Sequence, residues 1–145
     1  MDNTSPNTPN IIPFCSIVIP CYNESTQIFS TLSTIKEYMD SKNYKWEIIV
    51  VNDGSEDNTR KIVSSFSLTE PRVKIITIPH SGKGWAVKTG MPKSNGTLRF
   101  MCDADLSMPI NEIDKFFEHI SEGCLLYTSD AADEGLGVDL GGRRI

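Results

Sequence analysis

The chain alternates short continuous runs of apolar and β-branched residues with longer stretches whose apolar residues recur every three or four positions. The runs lie at 16–20, 46–51, 73–78 and 98–102. A strand that is apolar at consecutive positions is buried on both faces, and a helix between two such strands carries the chain back so that they pair in parallel. Between the runs, Ile28, Leu32, Ile35 and Met39 predict an amphipathic helix over 25–39, and Ile62, Val63 and Phe66 form the inward stripe of a second, capped by Asp57 or Asn58. A glycine-bearing loop at 81–84 opens a third helix reaching about residue 91, and Ile113, Phe116, Phe117 and Ile120 mark a fourth. The pattern predicts an α/β fold, a mostly parallel sheet with helices on both faces, whose ligand lies beyond the carboxyl ends of the strands.

Composition narrows the function. A chain of 145 residues, 39% hydrophobic and 23% charged, is long enough for one core, so one domain is expected. A formal charge of -5 offers no broad basic surface, so nucleic acid is not an expected partner. No apolar run approaches the roughly 20 residues needed to cross a bilayer, and residues 1–14 form a polar, proline-bearing leader unlike a signal peptide. Cys15, Cys21, Cys102 and Cys124 lack paired metal-ligand spacing, and three of them sit in or beside strand runs, so reduced thiols in a cytosol-facing compartment are expected.

Residues 124–145 break the periodicity with a glycine-rich stretch. Back-translated, residues 124–134 resemble a transposase sequencing adapter read in frame, and 138–145 continue the match after a gap the length of an index. The segment is therefore expected to be a non-native tail, leaving 15–123 as the domain.

Polar clusters follow three of the strands: Cys21-Tyr22-Asn23-Glu24, Asn52-Asp53-Gly54-Ser55 and Asp103-Ala104-Asp105. Parallel topology brings all three to one crevice. Carboxylates gathered in a partly buried site repel one another unless a cation or a hydrogen-bonding ligand offsets them. Asp103 and Asp105, two apart after an apolar strand, are candidate oxygen ligands for Mg²⁺ or Mn²⁺, a hard cation that completes its shell with diphosphate oxygens and water. Lys83, in a loop rich in backbone amides at a helix start, is a candidate for binding phosphate. The loop is not a Walker A motif, since position 77 is threonine and Gly84 follows the lysine, and no Gly-x-Gly-x-x-Gly of a dinucleotide-binding unit follows the first strand. Tyr22 is suited to stack on a nucleobase and Asp53 to accept hydrogen bonds from its edge, whereas His80 has no assigned role.

Together these motifs, from residue 15 to about 123, resemble glycosyltransferase family 2. Pro20, Tyr22, Asn23 and Glu24 match its Pro-x-Tyr-Asn-Glu. Val51, Asp53, Gly54 and Ser55 match its Val-Asp-Asp-Gly-Ser with Asn52 in place of the first aspartate, and Asp103, Ala104 and Asp105 match its Asp-Ala-Asp. The resemblance implies the amino-terminal half of a GT-A fold, a nucleotide pocket lined by Pro20, Tyr22, Glu24, Val51 and Asp53, and a metal and diphosphate site at Asp103 to Asp105. Gly82-Lys83-Gly84, Ala86-Val87, Gly90-Met91 and Asp103-Ala104-Asp105-Leu106-Ser107-x-Pro109 are most similar to dolichyl-phosphate β-glucosyltransferases. That implies transfer of glucose from UDP-glucose to a polyprenyl (dolichyl) phosphate, with mannose from GDP-mannose second and a hydroxyl-acceptor polysaccharide enzyme or a non-catalytic nucleotide-binding module as further readings. It also implies that acceptor contacts and membrane attachment belong to a half following residue 123, and that the chain by itself is inactive.

Overall fold

A computed structural model describes residues 15–121 and 137–140. The elements run β1 (Cys15–Cys21), α1 (Ile28–Asp40), β2 (Trp46–Asp53), α2 (Thr59–Thr69), β3 (Val73–Ile78), α3 (Lys83–Lys93), β4 (Leu98–Met101), a 3-10 turn (Ile110–Glu112), α4 (Ile113–Ser121) and β5 (Gly137–Leu140). They form a five-stranded sheet of order β3-β2-β1-β4-β5. β1 pairs in parallel with β2 on one side and β4 on the other, and β2 pairs in parallel with β3. The strand order reverses beside β1, so its carboxyl end lies where such sheets open a crevice.

The expected strands and helices are present, with shifted ends. α1 starts three residues later than its periodicity suggested, because the Glu24 carbonyl accepts the amides of both Gln27 and Ile28 in a preceding turn. Residues Ile28, Leu32, Ile35 and Met39 are fully buried against Ile17, Ile19, Ile48 and Val50. Each such side chain contributes roughly 1.5–3 kcal/mol by leaving water. Val63 and Phe66 of α2, and Ile113 with Phe116 and Phe117 after β4, join the same core. α3 covers the opposite face, over Val18, Ile49 and Val51. Gly90 permits that approach, since a Cβ there would lie 2.7 Å from methyl groups of both Val18 and Val51.

Two features depart from the sequence reading. Residues 137–140, expected to lie outside the fold, pair antiparallel with β4. The outer edge of β4 presents unpaired backbone groups on which an extended segment can form a ladder. The leader, Cys124 and the remainder of the expected tail lie outside the described residues, as does the side chain of Ile120. Second, the run from Trp46 is not wholly apolar, because Glu47 is buried with 1% exposure. Its carboxylate accepts from Ser16 Oγ at 2.8 Å, Asn95 N at 2.7 Å and Lys74 Nζ at 3.0 Å. Ser16 Oγ in turn accepts from Gly96 N at 2.7 Å, tying the turn before β4 to the amino ends of β1 and β2. Burial alone would raise the Glu47 pKa, but these donors outweigh it and hold the carboxyl below its ordinary value.

Gly90→Ala should destabilise the fold by about 1–3 kcal/mol through overpacking between α3 and the sheet, read from the urea midpoint. For Glu47 a depressed folded pKa means stabilisation that is present above the unfolded value of 4.5 and lost as pH falls through the folded one. The stability difference between wild type and Glu47→Gln should therefore be largest above about pH 4.5 and shrink on acidification; an unchanged difference would sink this account.

Candidate functional site

The carboxyl ends of β1, β2 and β4 and the loop before α3 enclose a cleft of about 480 Å³. Pro20, Tyr22, Glu24, Asp53, Lys83, Asp103, Ala104 and Asp105 all line it, joined by Cys21, His80 and Gly82. Eight of the nine expected site residues thus come together. The exception is Val51, which is fully buried beneath α3 with Val18, Ile49 and Ala86. Side chains alternate along a strand, so Val51 lies on the α3 face and belongs to the core.

The loop after β1 is laced to the loop after β2. Asn23 adopts a left-handed backbone, φ 56°, which asparagine tolerates better than most residues. Its Oδ1 accepts from the amides of Glu56 at 2.8 Å and Asp57 at 3.3 Å, while its own amide donates to Ser55 Oγ at 2.9 Å. The Glu24 amide donates to Thr59 Oγ1 at 2.8 Å. Asp57, one residue before the Asn58 N-cap of α2, accepts from the Thr59 amide at 2.9 Å and from the Ser25 amide at 3.1 Å. Burial would raise the Asp57 pKa, yet the Thr59 and Ser25 donors prevail and hold it at about 2. Asn52, where the family has aspartate, donates through Nδ2 to Thr77 Oγ1 at 3.4 Å and accepts from the Ser55 amide at 3.2 Å. An ionised aspartate offers no such donor at this buried position.

Asp53 is 2% exposed, and both of its carboxylate oxygens are engaged: Ser81 N donates to Oδ1 at 2.7 Å and Gly82 N to Oδ2 at 2.8 Å. The amides expected to receive a phosphate are therefore held by a carboxylate of the protein itself, at the same helix start that favours any anion. Gly54 makes the junction possible. Its φ is +71°, and a Cβ there would lie 2.6 Å from the His80 amide nitrogen. His80, unassigned from sequence, has its Nδ1 3.0 Å from the Asp53 carbonyl oxygen and 3.1 Å from Asp53 Oδ2. Its ring stacks on Tyr22, centroids 4.0 Å apart at 26°. The parallel register pairing Asp53 with Ile78 brings residue 80 here, and no spacing in the sequence marks that adjacency.

Also in the cleft lining, Lys83 Nζ lies 2.7 Å from Asp103 Oδ1. Asp105 Oδ1 accepts from the Ser107 amide at 2.9 Å. The Ala104 carbonyl accepts from the buried Thr31 Oγ1 at 2.5 Å, which anchors the acidic turn to α1. Cys102, immediately before it, is driven up to about 12, first by burial and then by the charges of Asp103 and Asp105, so it is an inert thiol. Cys15, Cys21 and Cys102 are all free and buried, as expected of reduced strand cysteines. Among the described residues no group of three or more His, Cys, Asp and Glu side chains could hold a metal ion. Asp103, which draws the Lys83 ammonium, and Asp105 both line the cleft and carry the hard oxygen donors that could hold a divalent cation.

A parallel sheet whose strand order reverses at an acidic cleft defines an α/β protein of the GT-A kind. Comparison with known proteins narrows this: the sequence model of glycosyl transferase family 2 matches residues 16–139, and the chain belongs to that family. It is 36% identical over 132 residues to a dolichyl-phosphate beta-glucosyltransferase of Trichomonas vaginalis, covering 80% of this chain and 39% of that protein. A bactoprenol glucosyl transferase of Shigella phage SfX is 31% identical over 83% of this chain and 41% of its own length. The chain thus spans about two-fifths of these relatives. Among solved structures it is similar to the mannosyltransferase PcManGT from Pyrobaculum calidifontis in complex with GDP-Man and Mn²⁺, with 27% identity and TM-score 0.54, over 66% of this chain and 28% of that one. S. aureus TarS in complex with UDP-GlcNAc shares the fold at 20% identity and TM-score 0.58, over 74% of this chain and 31% of that one.

Asp53→Asn leaves one acceptor oxygen and turns an amide donor toward a backbone N–H. It should cost about 1–3 kcal/mol and speed hydrogen exchange at Ser81 and Gly82 relative to β2; unchanged exchange there would show that the carboxylate does not hold the loop.

Proposed function

We propose that this chain is the donor-binding part of a glycosyltransferase that moves glucose from UDP-glucose to a polyprenyl phosphate with inversion. The observation that carries the reading is the cleft itself, whose lining brings the Tyr22 ring and Asp53 together with Lys83, Asp103 and Asp105. A nucleotide with its base on Tyr22 has a cationic and an acidic, metal-binding group for its diphosphate within the same cleft. In this reading Tyr22 stacks on the base, Pro20 and Glu24 flank it, and Asp53 sets the loop that delivers Lys83. Asp103, Ala104 and Asp105 hold the diphosphate, with Asp103 and Asp105 taking Mg²⁺ or Mn²⁺. A bound divalent cation neutralises charge on the departing diphosphate.

Transfer then needs little proton chemistry from this half. An oxygen of the acceptor phosphate bonds to the anomeric carbon from the face opposite the diphosphate, and the bond from that carbon to the diphosphate oxygen breaks, releasing UDP. A phosphomonoester has a second pKa near about 6 and is largely dianionic at neutral pH, so the nucleophile requires no strong base. Glucose is favoured by the dolichyl-phosphate and bactoprenol glucosyltransferases among the relatives. GDP-mannose is the second reading, favoured by PcManGT, whose structure holds GDP-Man and Mn²⁺. Residues beyond this two-fifths supply the acceptor contacts and bring the enzyme to a membrane surface on its cytoplasmic side. No helix among the described residues is long and apolar enough to cross a bilayer.

Calorimetric titration of the 145-residue chain with UDP-glucose and GDP-mannose, with and without Mn²⁺, tests the reading. UDP-glucose binding should strengthen with Mn²⁺, and Asp103→Ala with Asp105→Ala should abolish that dependence. A folded chain that binds neither sugar nucleotide would sink it.

A further inference from the structure

We propose that His80 is a positioning residue for the nucleotide, fixing the Tyr22 ring as a preset platform for the base. The inference rests on the nucleotide-binding reading of the cleft. It starts from where the imidazole is held. Nδ1 lies 3.0 Å from the Asp53 carbonyl oxygen and 3.1 Å from Asp53 Oδ2. Both neighbours are acceptors, so Nδ1 carries the hydrogen, and the plane of the ring is set by Asp53. Asp53 cannot easily swing away, because its carboxylate is 3% exposed and accepts the Ser81 and Gly82 amides. The His80 backbone is seated on Gly54, with no room for a Cβ between them.

This anchored imidazole lies against Tyr22 at 4.0 Å and 26°, a separation that leaves no space for a third ring between them. One face of Tyr22 is therefore backed by His80, while the residue keeps 40% of its surface exposed in the cleft. Alone on a surface loop, a tyrosine samples several ring orientations and loses that freedom when a base settles on it. Ordering a rotatable side chain on binding opposes association. Backing by His80 places that cost in folding, before the ligand arrives, so the benefit appears as tighter binding.

The test is a double-mutant cycle read by UDP titration of the full chain, with GDP as a second probe and a thermal melt of each variant to confirm folding. His80→Asn keeps a donor near Nδ1 and removes the ring; His80→Phe keeps a ring on Tyr22 and removes the donor. His80→Asn should weaken UDP binding by about threefold to tenfold, His80→Phe should recover most of that loss, and His80→Asn should cost nothing further in a Tyr22→Leu background. An equal loss in both backgrounds would assign His80 to bracing the loop through Asp53 and overturn the proposal. So would unchanged binding by His80→Asn, a His80→Phe variant as weak as His80→Asn, or tighter binding by His80→Asn, which would mean that the imidazole competes for the place of the base. Wild type that binds UDP while His80→Asn binds equally rejects this inference alone; wild type that binds neither nucleotide rejects the functional reading as well.

Discussion

The parallel pairing of β1 with β2 on one side and β4 on the other is the constraint from which the site follows. A strand hydrogen-bonded along both edges and covered on both faces has no freedom of register, because a slip by one residue would reverse its two buried faces. Ile17 and Ile19 face α1 and the helices beside it, while Val18 faces α3. With β1 held in this way, the loops that end β1, β2 and β4 emerge side by side. Their polar residues need not be close in sequence to share one cleft.

The cleft is then organised by carboxylates with opposite duties. Asp53 is buried and its oxygens are filled by backbone amides, so its charge is spent inside the protein in shaping the loop ahead of α3. Asp103 is partly exposed and pairs with a lysine side chain that long methylene links allow to move. The first arrangement gives rigidity and the second leaves a carboxylate whose cationic partner can exchange. Glu47 performs a third duty at the opposite pole, where it joins β1, β2 and the turn before β4 through neutral and charged donors.

Much of this was legible in the sequence. Alternating apolar runs and helical stripes predicted the strands, the helices and their parallel order, because burial periodicity is a local property of the chain. Residues of the three polar clusters share one cleft, since residues just past parallel strands must lie at one end of the sheet. Val51 stands apart from that lining because a motif records adjacency along the chain, whereas strand alternation puts its side chain beneath α3. Residues 137–140 entered the sheet unannounced because an open edge accepts backbone and places little demand on side-chain pattern.

The sequence by itself therefore determined the class of fold and the acids that converge on the cleft, since both depend on spacing within single elements. Only the tertiary structure decided which of those groups stay available. It turned the Ser81 and Gly82 amides toward Asp53, set His80 behind Tyr22 and placed Lys83 on Asp103. Each of those contacts joins loops about 20 or more residues apart, and they meet only because the paired strands beneath them carry the loops into register.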